Sequence, residues 1–179
     1  MNKEKLIDAK VPVLLASLTV FIGGCRDEVM KQIDETVDEL TENCLINIYN
    51  PKNIEKSDNK WVVKSADNSV CHCSFSKDTD ICEFDEINNA SNAKAQSKKR
   101  TAVQINHQNS NENIRFTLHK GKKLYSSVLE VDSEKCQEVP YSGPKRKLDT
   151  PPKECRIYIN SVRDRLRQLS GHFEKRSGK

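Results

Sequence analysis

The sequence predicts an α+β fold: an N-terminal helical pair packed on a small antiparallel sheet, with a disordered internal loop and a basic C-terminal helix. Three observations predict it. Apolar residues recur at helical spacing up to residue 44, the texture turns to short alternating runs from residue 45, and the last segment is strongly cationic. The 179 residues carry a formal net charge of +4, with 35% hydrophobic and 31% charged. Globular domains average about 45–50% apolar, so part of the chain is expected to lie outside any core. Residues 1–87 with 113–142 are therefore read as one compact α+β domain. Residues 88–112 are read as a disordered linker carrying a peptide motif, and residues 143–179 as a basic linker followed by a partner-dependent helix. No apolar run reaches the ~18–20 residues that span a bilayer, so no membrane span is expected.

The first helix of the pair rests on the apolar run at residues 11–22. Pro12 suits a first turn and Gly23-Gly24 suits a stop. The run also has signal-peptide length, and Ile22-Gly-Gly-Cys25 loosely resembles a lipoprotein cleavage box. Glu4 and Asp8 upstream depart from a simply basic leader and favour a core helix. The second helix is read from Val29, Ile33, Val37, Leu40 and Cys44, at steps of 4, 4, 3 and 4. Strands are expected at residues 45–49, 60–64, 70–75 and 81–84. A hairpin is expected from residues 114–118 and 124–131 around His119-Lys-Gly-Lys122. Residues 88–113 are rich in Asn, Ser, Lys and Gln, and beyond alanines their only apolar side chains are Ile105, Val103. Such composition predicts too little burial to offset ordering entropy.

Residues 143–179 hold eleven Lys/Arg and four acids, a charge of +7 that leaves residues 1–142 at −3. Within them Ile159, Val162, Leu166 and Leu169 form a short apolar stripe at steps of 3, 4 and 3. So short a stripe does not hold an isolated helix together, and it predicts a partner surface in cis or in trans.

Several short motifs bear on function. Thr101-Ala-Val-Gln-Ile-Asn106 resembles the peptides bound by the dimeric dynein light chain hub. The resemblance implies that Thr101, Val103, Gln104 and Ile105 add a strand to that hub's sheet edge. Ala and Asn stand where such targets carry Gly and Asp. Pro144-Lys-Arg-Lys-Leu-Asp149 resembles a monopartite nuclear import signal, which implies that Lys145, Arg146 and Lys147 are read by an import receptor. Thr150-Pro151 beside it is a minimal proline-directed phosphorylation site. Arg156, Arg163, Arg165 and Arg167 make the C-terminal helix basic enough to contact nucleic-acid phosphates.

The seven cysteines are odd in number and unevenly spaced, which predicts free thiols in a reducing compartment. Cys71, Cys73 and Cys82 supply three zinc donors at most. His72 falls on the opposite strand face, so no metal site is expected. None of the four histidines sits in a catalytic motif, so no catalytic residue and no cofactor are expected. The functional expectation is a non-enzymatic nuclear adaptor or complex subunit that recruits partners through short linear motifs, the dynein light chain hub and an import receptor among them. The alternative is a DNA- or RNA-binding, chromosome-associated subunit using a small β domain and its basic tail. A second alternative is an exported lipoprotein or secreted domain.

Overall fold

The structure is a computed structural model that describes residues 27–88, 96–108, 111–120 and 123–178. The expected helix at residues 11–22 lies outside the described residues. Helix α1 (Glu28–Tyr49) leads into nine strands. They are β1 (Pro51–Ser57), β2 (Lys60–Ser65), β3 (Val70–Phe75), β4 (Thr79–Asn88), β5 (Gln96–Asn106), β6 (Glu112–Lys120), β7 (Lys123–Val131), β8 (Cys136–Pro140) and β9 (Arg146–Lys147). Helix α2 (Pro152–Ser177) closes the described chain. Each strand pairs antiparallel with its sequence neighbour, giving one sheet in the order β1 to β9.

This architecture corrects the expected fold class. The fold is dominated by the nine-stranded sheet, and the helices on it come one from each end of the chain. They lie side by side and run the same way. Tyr158 Oη donates to the Met30 carbonyl at 2.9 Å near their starts, and the Arg176 guanidinium stands 5.7 Å over the Tyr49 ring near their ends.

Helix α1 starts after Asp27, whose carbonyl accepts the Met30 and Lys31 N–H groups. Glu28 in the first turn suits the helix dipole. The helix runs through residues 45–49, which had the texture of a strand. Ile48 extends the buried stripe Val29, Ile33, Val37, Leu40 and Cys44, so packing overrides β propensity there. It ends at Asn50, which leaves the helical region before Pro51.

The strands alternate. Trp61 and Val63 on β2, Cys71 and Cys73 on β3, Cys82 and Phe84 on β4, and Ile114 and Phe116 on β6 all turn to the helices and are buried. From above, α2 supplies Ile159, Val162, Leu166, Leu169 and Phe173, each at most 1% exposed. Burying one Val, Leu, Ile or Phe contributes roughly 1.5–3 kcal/mol, so the stripe on α2 finds its partner surface in cis.

The disordered internal loop is the second correction. Residues 96–106 form β5, and residues 101–106 are an inner strand hydrogen-bonded to β4 on one side, with 102–106 on β6 on the other. Residues 89–95 and 109–110 lie outside the described residues. The physical reason is alternation. Thr101, Val103 and Ile105 are all 0% exposed, and three inward side chains suffice when strands flank the segment on both sides.

The cysteines are the third correction. The six cysteines among the described residues are paired, as Cys44–Cys71, Cys73–Cys82 and Cys136–Cys155. The first ties α1 to β3, the second joins opposed residues of β3 and β4, and the third ties β8 to the first turn of α2. Among the described residues no group of three or more His, Cys, Asp or Glu is placed to hold a metal, and no helix is long and apolar enough to cross a membrane.

Candidate functional site

The sheet face turned away from the helices carries the most elaborated exposed surface. Register lines its outward side chains up in rows. Ile81, Gln104, Arg115, Val128 and Val139 stand opposite one another across β4 to β8. Glu83, Ala102, Thr117 and Ser126 form the next row. Tyr141 extends that row, its N–H donating to the Ser126 carbonyl at 3.1 Å. A groove of about 470 Å³ runs along these rows.

The floor of the groove is mixed in character. Ile81, Ala102 and Val128 give it apolar patches, and Tyr141 stands at its end 86% exposed. Arg100 Nη2 donates to Glu83 Oε1 at 2.7 Å, and that bond, with the charge of Glu83, raises the Arg100 pKa and fixes its protonated form. Gln104 Nε2 donates to Asn106 Oδ1 at 3.0 Å, and Asn106 Nδ2 donates to Asn113 Oδ1 at 2.8 Å. Arg115 is exposed in the middle of the long row, and its guanidinium makes no hydrogen bond or ion pair among the described residues. An unneutralised guanidinium can receive a carboxylate bidentately, while Val128 beside it offers apolar contact and Gln104 a polar one.

The sequence-predicted residues fall into three places. Thr101, Val103 and Ile105 are buried in the core, so the hexad is not available to add a strand to another sheet; Gln104 lies on the open face, and it and Val103 line the groove. Ile159, Val162, Leu166 and Leu169 are core residues as well. Lys145, Arg146 and Lys147 lie exposed at the sheet edge, where Arg146 and Lys147 form β9 against β8, and Lys145 Nζ lies 3.5 Å from Glu130 Oε2.

The four arginines of α2 that the sequence offered for nucleic acid are engaged within the molecule. Arg156 Nη2 donates to the Asp132 carbonyl at 2.6 Å. Arg165 pairs with Asp34 at 3.0 Å and with Asp38. Arg163 and Arg167 both reach the fully buried Asp80, their Nε atoms 3.0 and 2.7 Å from its Oδ2, while Arg167 Nη2 donates to Oδ1 at 2.9 Å. They fasten α2 to the β3–β4 turn. Next to this clamp the His107 Nε2 is buried 4.0 Å from Asp80 Oδ2; burial first, and then Arg163, push its pKa down.

Sequence reasoning missed Arg115, Val128 and Tyr141. The alternation of residues 114–118 already turned Arg115 away from Ile114 and Phe116, so its outward position was readable; its neighbours across β7 and beyond β8 were not. No known protein family, no curated protein and no solved structure matches this chain.

Proposed function

We propose that this chain is an exported, non-enzymatic binding protein that receives an acidic segment of a partner protein in the groove across β4 to β7. Arg115 carries the reading. It is a charge with no partner among the described residues, flanked across the strands by Gln104 and Val128 in a groove that ends at the exposed Tyr141. Arg and Tyr are the residue types that dominate interface energetics, and an acidic segment is the partner whose charge complements this floor. The test is fluorescence anisotropy of a labelled eight-residue oligoglutamate peptide. Binding is expected to weaken about tenfold or more on Arg115→Glu. Equal binding by the variant and the parent protein contradicts the groove as the site.

Export is supported by the three disulfides, since such bonds persist in oxidising compartments. The apolar run at residues 11–22 has the length of a leader's central region. A nuclear setting is the second reading, favoured by the exposure of Lys145, Arg146 and Lys147. Alkylation of the native protein under denaturing, non-reducing conditions separates the two. Export predicts protection of Cys44, Cys71, Cys73, Cys82, Cys136 and Cys155, and a reduced nuclear protein predicts modification of all six.

A further inference from the structure

Where α2 crosses the β3–β4 turn, two guanidiniums share one carboxylate. Asp80 is 0% exposed and bonds both Arg163 and Arg167, so two guanidiniums share one directly bonded carboxylate, with the charge of Asp164 acting on Arg167 without a hydrogen bond. Nearby His107 supplies no negative charge, and burial with Arg163 pushes its pKa down. The clamp opens onto a hollow of about 550 Å³ with Phe75 in its wall beside Asn59, Ser76, Lys77, Arg163, Arg167 and Ser170, and with no carboxylate there.

The donors facing this hollow are not consumed. Arg163 uses Nε on Asp80 and Nη2 on the Lys77 carbonyl at 3.4 Å. Arg167 uses Nε and Nη2 on Asp80, and Nη2 also on the Ser76 carbonyl at 2.7 Å. The Nη1 of each, the Lys77 ammonium and the Asn59 carboxamide make no hydrogen bond among the described residues. Asp80 and the two turn carbonyls hold the guanidinium planes still, so little side-chain entropy remains to be lost when a ligand arrives.

We propose that this hollow binds a tetrahedral oxyanion, the sulfate or phosphate monoester group of a small molecule. The Nη1 groups of Arg163 and Arg167 meet two of its oxygens, and Lys77 and Asn59 close over the others. Tetrahedral geometry and negative charge, one on a sulfate monoester and up to two on a phosphate monoester, suit two forked donors converging from one helix face. Asp164, whose charge acts on Arg167, is exposed and outside the lining, as is Asp78 in the turn.

Arginine side-chain NMR tests this on the intact, oxidised protein. The Nε–Hε signals of Arg163 and Arg167 are followed during titration with sodium sulfate and with sodium phosphate. Sodium chloride of matched ionic strength is the control. Saturable shifts with both oxyanions and none with chloride are expected. Arg163→Ala removes part of the clamp that holds α2, so the variant of choice is Lys77→Glu in the exposed turn, which is expected to weaken binding about tenfold. Arg115→Glu, in the distant groove, leaves it unchanged, so this site and the groove stand or fall separately. Glucosamine 6-sulfate and glucose 6-phosphate form two further arms, and whichever binds tighter names the source of the oxyanion. Chloride shifts as large as those of sulfate, or equal binding by Lys77→Glu, overturn the proposal.

Discussion

The two faces of strand β5 were built by one alternating sequence and do opposite things. Thr101, Val103 and Ile105 are sealed under the helices at 0% exposure, whereas Arg100, Ala102 and Gln104 lie on the open side along the groove. Seen alone, the hexad has the pattern of a strand awaiting a partner sheet. Seen in the fold, its partners are β4 and β6 of its own chain. The difference teaches that alternation announces a one-sided strand without saying whose sheet it joins.

The sharpest way to break this comparison is to truncate one face at a time. Ile105→Ala is expected to cost about 2–5 kcal/mol, as large-to-small changes in a packed core do, while Gln104→Ala stays within about 0.5 kcal/mol. Urea denaturation of the two variants measures both. Equal losses would mean that the faces are not distinct.

A similar contrast separates the arginines of α2 from Arg115. Asp80→Asn leaves two guanidiniums at a buried site without their shared carboxylate. It is expected to cost roughly 3 kcal/mol, read from the shift of the denaturation midpoint. Arg115→Ala is expected to leave that midpoint in place within about 0.5 kcal/mol. A smaller effect is expected from Cys136→Ala with Cys155→Ala. The sequence separation is 19, and a loop of that size is worth about 3 kcal/mol in the chain-entropy limit, less when the unfolded state keeps structure. Thermal unfolding with and without reductant measures this, and only the parent protein should respond to reduction of that pair.

The smallest expected effect is electrostatic. Asp67 in the β2–β3 turn accepts hydrogen bonds from Ser69 and Ser65, which lower its pKa from 3.8 to about 2. Its folded pKa lies below its unfolded one, so its contribution is present above pH 3.8 and lost as the pH falls toward 2. Asp67 is exposed, so solvent screening keeps this contribution small. Asp67→Asn should flatten the acid limb of the stability curve between those values, and an unchanged limb would show that the turn does not stabilise the carboxylate.

Much of the fold was readable where the pattern is local. The spacing of Val29, Ile33, Val37, Leu40 and Cys44 marks α1, and the alternation of residues 114–118 and 124–131 marks β6 and β7, which pair with Ile114 opposite Leu129. What was not readable is non-local. Asp80 shows no sign in the sequence that two arginines more than eighty residues away will bury it. The odd cysteine count hid three pairs, because connectivity follows from which elements stack and not from spacing. Low apolar content misled for residues 96–106, since an inner strand needs one apolar face and takes its remaining stability from flanking ladders. Of the groove, the outward aim of Arg115 and Gln104 was legible, and their meeting with Val128 and Tyr141 required the register of four strands.

Amide hydrogen exchange across residues 101–106 of the oxidised protein decides whether the polar middle of the chain is an inner strand with a covered and an open face. Protection as strong as that of residues 114–118 on neighbouring β6 is the expected result. Exchange at the rate of an unstructured peptide would contradict it, and would return the hexad to the free segment its composition suggested.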